Sequence, residues 1–166
     1  MYTEIFNEMK KQLGQLEKWL DAATTFAKAK SFEPNLFLQF RLAPDQFPLV
    51  RQIQSTCDSA KLGASRVSGK DAPSHPDTEQ TIDELRTRIR AVISYLDGYK
   101  ATDFASAATR TVSLPRWEGK SMTVPDYFVE HVVPNFYFHL AHSYAILRHN
   151  GVDIGKRDYL GALTMK

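Results

Sequence analysis

The amino-acid sequence predicts an all-α fold, a four-helix bundle, and three observations lead to this prediction. Four long segments repeat apolar residues at the alternating three- and four-residue steps of an amphipathic helix. Short joins and one long crossover connect these segments. No internal repeat or low-complexity run competes with this pattern, and 166 residues fit a single domain. We therefore expect one bundle domain over residues 1–166.

The first predicted helix runs from about residue 3 to about residue 29, with the usual error of a few residues at each end. Its evidence is an apolar stripe with the helical period, formed by Ile5, Met9, Leu13, Leu16, Leu20, Ala23 and Ala27. An apolar segment between Pro34 and Pro44 follows, and it is too short for a bundle helix. We expect a short helical turn that packs over one end of the bundle.

The second predicted helix begins after Asp45, whose side chain is expected to cap it. Pro48 falls inside the first turn, where its missing N–H costs nothing. The buried stripe of this helix consists of Val50, Ile53, Cys57, Ala60, Ala64 and Val67. Residues 68–76 are rich in turn formers and have no periodicity, so we expect a loop between two helical pairs.

The third predicted helix begins at Asp77 and Gln80, which resemble a capping box, and it ends at Gly98. Its stripe is Ile82, Leu85, Ile89, Val92 and Leu96. In residues 101–124, apolar and β-favouring residues flank a turn at residues 115–119. This pattern predicts a long crossover that carries a small β-hairpin.

The fourth predicted helix begins near Pro125 and ends at Gly151, which suits a C-terminal cap. Pro134 lies inside it and removes a backbone hydrogen bond to the carbonyl of Glu130, so we expect a kink. The remaining residues, 152–166, have a mixed composition and are expected to pack on the surface.

Composition excludes several classes of function. The formal charge of +2 is dispersed along the chain, which argues against a nucleic-acid or membrane partner. The single cysteine, Cys57, excludes an internal disulfide. The first residues lack the pattern of a signal peptide, and no apolar stretch approaches the roughly 20 residues that span a bilayer. We expect a cytoplasmic protein.

The fourth helix carries four of the five histidines of the chain, at positions 131, 139, 142 and 149. With about 100° per residue, His139 and Asn135 fall on the core-facing arc, one turn apart. On the same projection His142 lies nearby, and His131 and His149 lie at the margin. The sequence therefore predicts a pocket around His139.

Imidazole is a common ligand of divalent metals such as zinc and nickel, so His139 is a candidate metal ligand. Asn135 is a poor second ligand, and a third would have to come from Gln54, Cys57 or Asp58 on the second helix. The alternative is a core histidine that hydrogen-bonds to a neighbouring polar group. The small number of good ligands favours a site without metal.

The sequence contains the motifs RLAPDQFPL at 41–49, PNFYFH at 134–139, ILRHNGV at 146–152 and GKRDYLG at 155–161. Together these motifs resemble a bacterial and fungal family of unknown function within the DinB/YfiT-like metalloenzyme superfamily. The resemblance implies a four-helix bundle, often dimeric, that holds a metal through one histidine of the second helix and an HxxxH pair of the last. Some members are thiol-dependent transferases or isomerases. Here the pair falls on Asn135 and His139, and the second helix has no histidine.

Two hypotheses about function remain. In the first, a small molecule binds in a pocket formed by His139, Asn135, His142, Cys57, Asp58 and Gln54, with His139 as the remnant of a degenerate metal site. In the second, the histidines are structural, and the protein is a non-catalytic module that forms a homodimer or binds a partner. The sequence identifies no cofactor and leaves open whether the protein is an enzyme.

Overall fold

The computed structural model describes residues 1–165 and contains three long uninterrupted helices and a fourth, composite one. The long helices are α1 (Tyr2–Ala29), α2 (Leu49–Ser68) and α3 (Ile82–Asp97). The composite helix consists of α4 (Val124–Tyr127), a π-helical segment (Phe128–Val132) and α5 (Val133–His149), and a short α6 (Lys156–Leu160) follows. Short 3-10 turns occupy Pro34–Gln39, Ala101–Phe104, Ala107–Thr109 and Pro115–Trp117.

The four long helices enclose one apolar core, so the predicted all-α bundle is confirmed. Helix α2 packs along α5 and α3, and α1 packs along α3 and α5. The largest fully buried side chains include Trp19, Phe37, Tyr127, Phe128 and Phe136. The predicted turn over one end of the bundle is the 3-10 segment that contributes the buried Phe37 and Leu38.

Two helix starts differ from the prediction. Helix α2 begins at Leu49, with Pro48 as its N-cap residue and no side-chain cap, so the prediction of an Asp45 cap was wrong. The chain makes a separate turn at residues 43–46, which leaves Asp45 a full turn before the helix. The capping box of α3 is formed by Thr81 and Glu84, not by Asp77 and Gln80. Asp77 instead pairs with arginines.

The crossover carries the predicted hairpin. Strands β1 (Thr111–Val112) and β2 (Met122–Thr123) pair antiparallel, with Thr111 opposite Thr123 and Val112 opposite Met122. The 3-10 turn between the strands lies beside the composite helix, where Trp117 packs edge-on against Tyr127 at 6.0 Å between ring centroids.

The C-terminal segment is held to α1. Val152 and Ile154 are buried, and the Trp19 indole Nε1 donates to the carbonyl of Asp158 at 3.1 Å. Tyr159 stacks on Trp19 with 5.5 Å between centroids. In the part of the chain described by the structure, no helix is both long enough and apolar enough to cross a membrane.

Candidate functional site

Helices α2 and α5 run antiparallel, and facing residues define a cleft along their contact. Gln52 faces His139, and Ser59 faces Asn135. Further along, Gly63 of α2 meets the π-helical segment, where a Cβ at position 63 would lie 2.5 Å from a methyl carbon of Val132. The absence of a side chain at Gly63 lets the two elements approach at this point.

The cleft has a volume of about 340 Å³, a size suited to a small molecule. Its walls come from α2, from the composite helix and from the crossover turn. The lining residues are Phe47, Arg51, Ser55, Asp58, Ser59, Leu62, Arg66, Arg116, Tyr127, His131, Val132, Asn135 and His139. Charged and polar side chains dominate this set.

At one end, His139 is buried and held in one tautomer. Its Nδ1 lies 2.8 Å from Oε1 of Gln52, and the Gln52 amide Nε2 donates to the carbonyl of Phe47 at 3.3 Å. The second contact orients the amide so that Oε1, which can only accept, faces the imidazole. Nδ1 of His139 therefore carries the hydrogen.

His139 is a neutral imidazole at neutral pH. Burial lowers the pKa of His139 to about 4, with smaller contributions from the charges of His142 and Arg51. With the hydrogen on Nδ1, the lone pair of Nε2 is an acceptor. Within residues 1–165 this nitrogen has no hydrogen-bond partner.

The middle of the cleft is polar and already paired. The Asn135 amide Nδ2 donates to Oγ of Ser59 at 2.7 Å, and that hydroxyl donates to the carbonyl of Ser55 at 2.6 Å. This chain of hydrogen bonds ties α5 to α2 through the amide nitrogen of Asn135.

At the other end, two arginines from different elements line the cleft. Arg66 of α2 donates to the Tyr127 hydroxyl at 2.9 Å, and Arg116 of the crossover turn contacts Nε2 of His131. His131 stacks on Tyr127 at 5.2 Å between centroids. Burial, followed by the charges of Arg116 and Arg66, lowers the pKa of His131. Neither arginine has a carboxylate partner among the residues that the structure covers.

Asp58 does not neutralise these arginines. Its Oδ1 accepts from the buried Arg88 at 2.9 Å and from Lys61 at 2.9 Å. Arg51, at the His139 end, pairs with Asp77. The carboxylates near the cleft are thus engaged by other cations, and positive charge remains at the Arg66 end.

The structure brings together half of the residues predicted for the pocket. His139, Asn135 and Asp58 line the cleft, whereas Gln54 and Cys57 do not. Gln54 is buried and donates to Glu79 at 2.8 Å. Cys57 lies in the core, where burial raises the pKa of its thiol to about 12.

His142 also lies outside the cleft, because its Nδ1 bonds to the helix carbonyl of Phe138 at 2.7 Å. Sequence reasoning placed His131 at the margin and did not single out Arg66 or Arg116. A signal for Arg66 was present in a stripe of polar residues on α2, which runs through residues 51, 55, 58, 59 and 66.

The side chains of the cleft do not fit a divalent metal. In residues 1–165, no three His, Cys, Asp or Glu side chains come together as a set that could hold a metal ion. His139 supplies one free nitrogen, and Asn135 could add only its neutral amide oxygen, since its amide nitrogen donates to Ser59. Cationic guanidinium groups line the same cleft and oppose a second positive charge.

Comparison with known proteins places the chain in a family. The fold is that of a crystal structure described as a DinB family member protein from Shewanella denitrificans, with 47% sequence identity and a TM-score of 0.94. The match covers 97% of this chain and 92% of that one. No curated protein matches the chain. The model of a domain of unknown function, DUF1993, matches residues 1–160, and the chain belongs to this family.

Proposed function

We propose that this protein binds a small anionic molecule in the cleft between α2 and α5. One observation carries the proposal: Arg66 and Arg116 converge at one end of the cleft without a carboxylate partner among the described residues. Guanidinium groups form paired hydrogen bonds with carboxylate and phosphate oxygens, which makes them the preferred side chains for such groups.

The surroundings of the two arginines support an anion at this end. Tyr127 is buried, and its hydroxyl oxygen already accepts from Arg66, so the hydroxyl hydrogen is free to bond to an anion. His131 accepts from Arg116, and its lowered pKa favours the neutral imidazole, so the positive charge at this end comes from the two arginines. An anion that enters here meets donors whose positions are fixed by other contacts.

The proposed site binds its ligand without a metal. His139 then acts as a neutral polar group at the far end of the cleft and not as a metal ligand. The rest of the lining is compatible with a small organic molecule, since Leu62 and Val132 are apolar and the serines are polar.

Thermal unfolding in the presence of inorganic phosphate tests this proposal. A ligand that binds only the folded state raises the melting temperature with its concentration. We expect phosphate to raise the Tm of the wild type and to lose most of this effect in Arg66→Gln and Arg116→Gln. Arg90→Gln removes an exposed arginine that pairs with Glu17 away from the cleft, and it should keep the full effect. Equal phosphate effects in all variants would overturn the proposal.

A further inference from the structure

We infer that the ligand carries, besides its anionic group, a hydroxyl or N–H group that donates a hydrogen bond to Nε2 of His139. This inference rests on the proposed function and names the class of ligand: an elongated anion with a neutral hydrogen-bond donor at its opposite end.

The tautomer of His139 is fixed by its neighbours. The Phe47 carbonyl orients the Gln52 amide, and Gln52 in turn holds the hydrogen of His139 on Nδ1. A neutral imidazole in this state offers one acceptor, Nε2, and no second donor. A ligand group that meets this nitrogen must therefore be a donor.

One lone pair of His139 is unused. The residue is only 9% exposed, but its Nε2 is not among the fully buried side-chain atoms without a partner, so this nitrogen is accessible. Nε2 has none among residues 1–165, whereas Nδ1 of the same ring is bonded at 2.8 Å. Phe47 lies nearly parallel to the imidazole, with 6.3 Å between centroids. Since His139 lines the cleft, we take this accessible acceptor to be the atom that meets a ligand there.

The distance between the two ends of the cleft sets the length of the ligand. His131, beside Arg116, and His139 lie eight positions apart on the composite helix. At roughly 1.5 Å per residue, this spacing corresponds to about 12 Å. One molecule reaches both ends only if its anionic group and its donor group are separated by about that length. Gln52 acts here as a positioning residue, because it acts on the ligand through His139.

Two matched probes test the inference: the ω-hydroxy and ω-methoxy derivatives of hexyl phosphate, of which only the hydroxy compound can donate a hydrogen bond. By calorimetry, we expect the wild type to bind the hydroxy compound about threefold to tenfold more tightly, the effect of one added neutral hydrogen bond. Gln52→Met removes the group that holds the tautomer, so it should reduce this preference, because part of the molecules then carry a hydrogen on Nε2 that either oxygen can accept. Gln12→Met replaces a buried glutamine of α1 outside the cleft and should retain the preference.

Nitrogen NMR of the imidazole provides a second measurement. Its result would not change on substitution of Gln52 if this residue had only a structural role. We expect His139 to be protonated on Nδ1 in the wild type and to become a tautomer mixture in Gln52→Met. Equal affinity of the wild type for the two phosphates, or a hydrogen on Nε2, would overturn the inference and leave the proposed function intact. Failure of both phosphates to bind would overturn the proposed function and the inference together.

Discussion

Gly63 of α2 and Val132 of the π-helical segment are packed so closely that a Cβ at position 63 would lie 2.5 Å from Cγ1 of Val132. This contact lies on the wall of the cleft, because Val132 and the neighbouring Leu62 both line it. The distance between the two helices, and with it the width of the cleft, therefore depends on the missing side chain at Gly63.

Gly63→Ala is expected to lower the free energy of unfolding by about 1–3 kcal/mol, because the added methyl group overpacks the contact with Val132. Urea unfolding measures this change. Gly14→Ala is the matched control: nothing lies within 4 Å of its added Cβ, and alanine in a helix interior should stabilise by up to about 1 kcal/mol. The double variant Gly63→Ala/Val132→Ala should recover part of the loss. Equal stability of the two single variants would contradict the packing described here.

The stability of the protein should depend on the ionisation of His139 in mildly acidic solution. Its pKa is lowered to about 4 in the folded protein, chiefly by burial, whereas an unfolded histidine titrates near 6.5. Between these values the unfolded chain binds a proton that the folded chain does not. The stability that the protein gains from a neutral His139 is therefore fully present above about pH 6.5 and is lost as the pH falls toward 4.

We expect the free energy of unfolding to fall by about 2 kcal/mol over this range. The full pKa shift would give a larger loss, but the ring borders an open cleft where solvent screens its charge. Urea unfolding at a series of pH values measures it. His139→Gln should lose less stability than the wild type over the same range, whereas His149→Gln, at an exposed position, should follow the wild type. Parallel pH profiles for the wild type and His139→Gln would show that His139 is not held neutral by the fold.

Cys57 should be unreactive in the folded protein. Its side chain is fully buried, and burial raises the pKa of the thiol to about 12, so almost no thiolate forms at neutral pH. Dithiodipyridine should react with the thiol only after unfolding in guanidinium chloride. Cys57→Ala should leave the phosphate effect on Tm unchanged, since Cys57 lies outside the cleft. Rapid labelling of the native protein would contradict this placement.

The fold was largely predictable because its elements have local signals. The stripe from Ile5 to Ala27 predicted α1 within a residue or two of Tyr2–Ala29. The start of α2 was not predictable in the same way. Asp45 is a good capping residue, but the tertiary contact between the amide of Leu49 and the carbonyl of Phe40, at 2.9 Å, determines where the helix begins. The helix propensity of the local sequence does not predict such a contact.

The candidate site was predictable only in part, because it combines elements that are distant in sequence. The helical period identified His139 as a core-facing residue. His131 was assigned to the margin because the projection assumed an uninterrupted α-helix, whereas the π-helical segment rotates residues 128–132 relative to α5. Pro134, just after this segment, is the one local sign of the interruption. Arg116 reaches the cleft from the crossover, so only the tertiary structure places it beside Arg66.

The position of a bound oxyanion tests the central claim most directly. Tungstate resembles phosphate in shape and charge, and its metal is located unambiguously by anomalous diffraction in soaked crystals. We predict a tungsten peak at the end of the cleft, within about 5 Å of the guanidinium groups of both Arg66 and Arg116. Peaks confined to exposed arginines such as Arg90 and Arg148, with none in the cleft, would contradict the account.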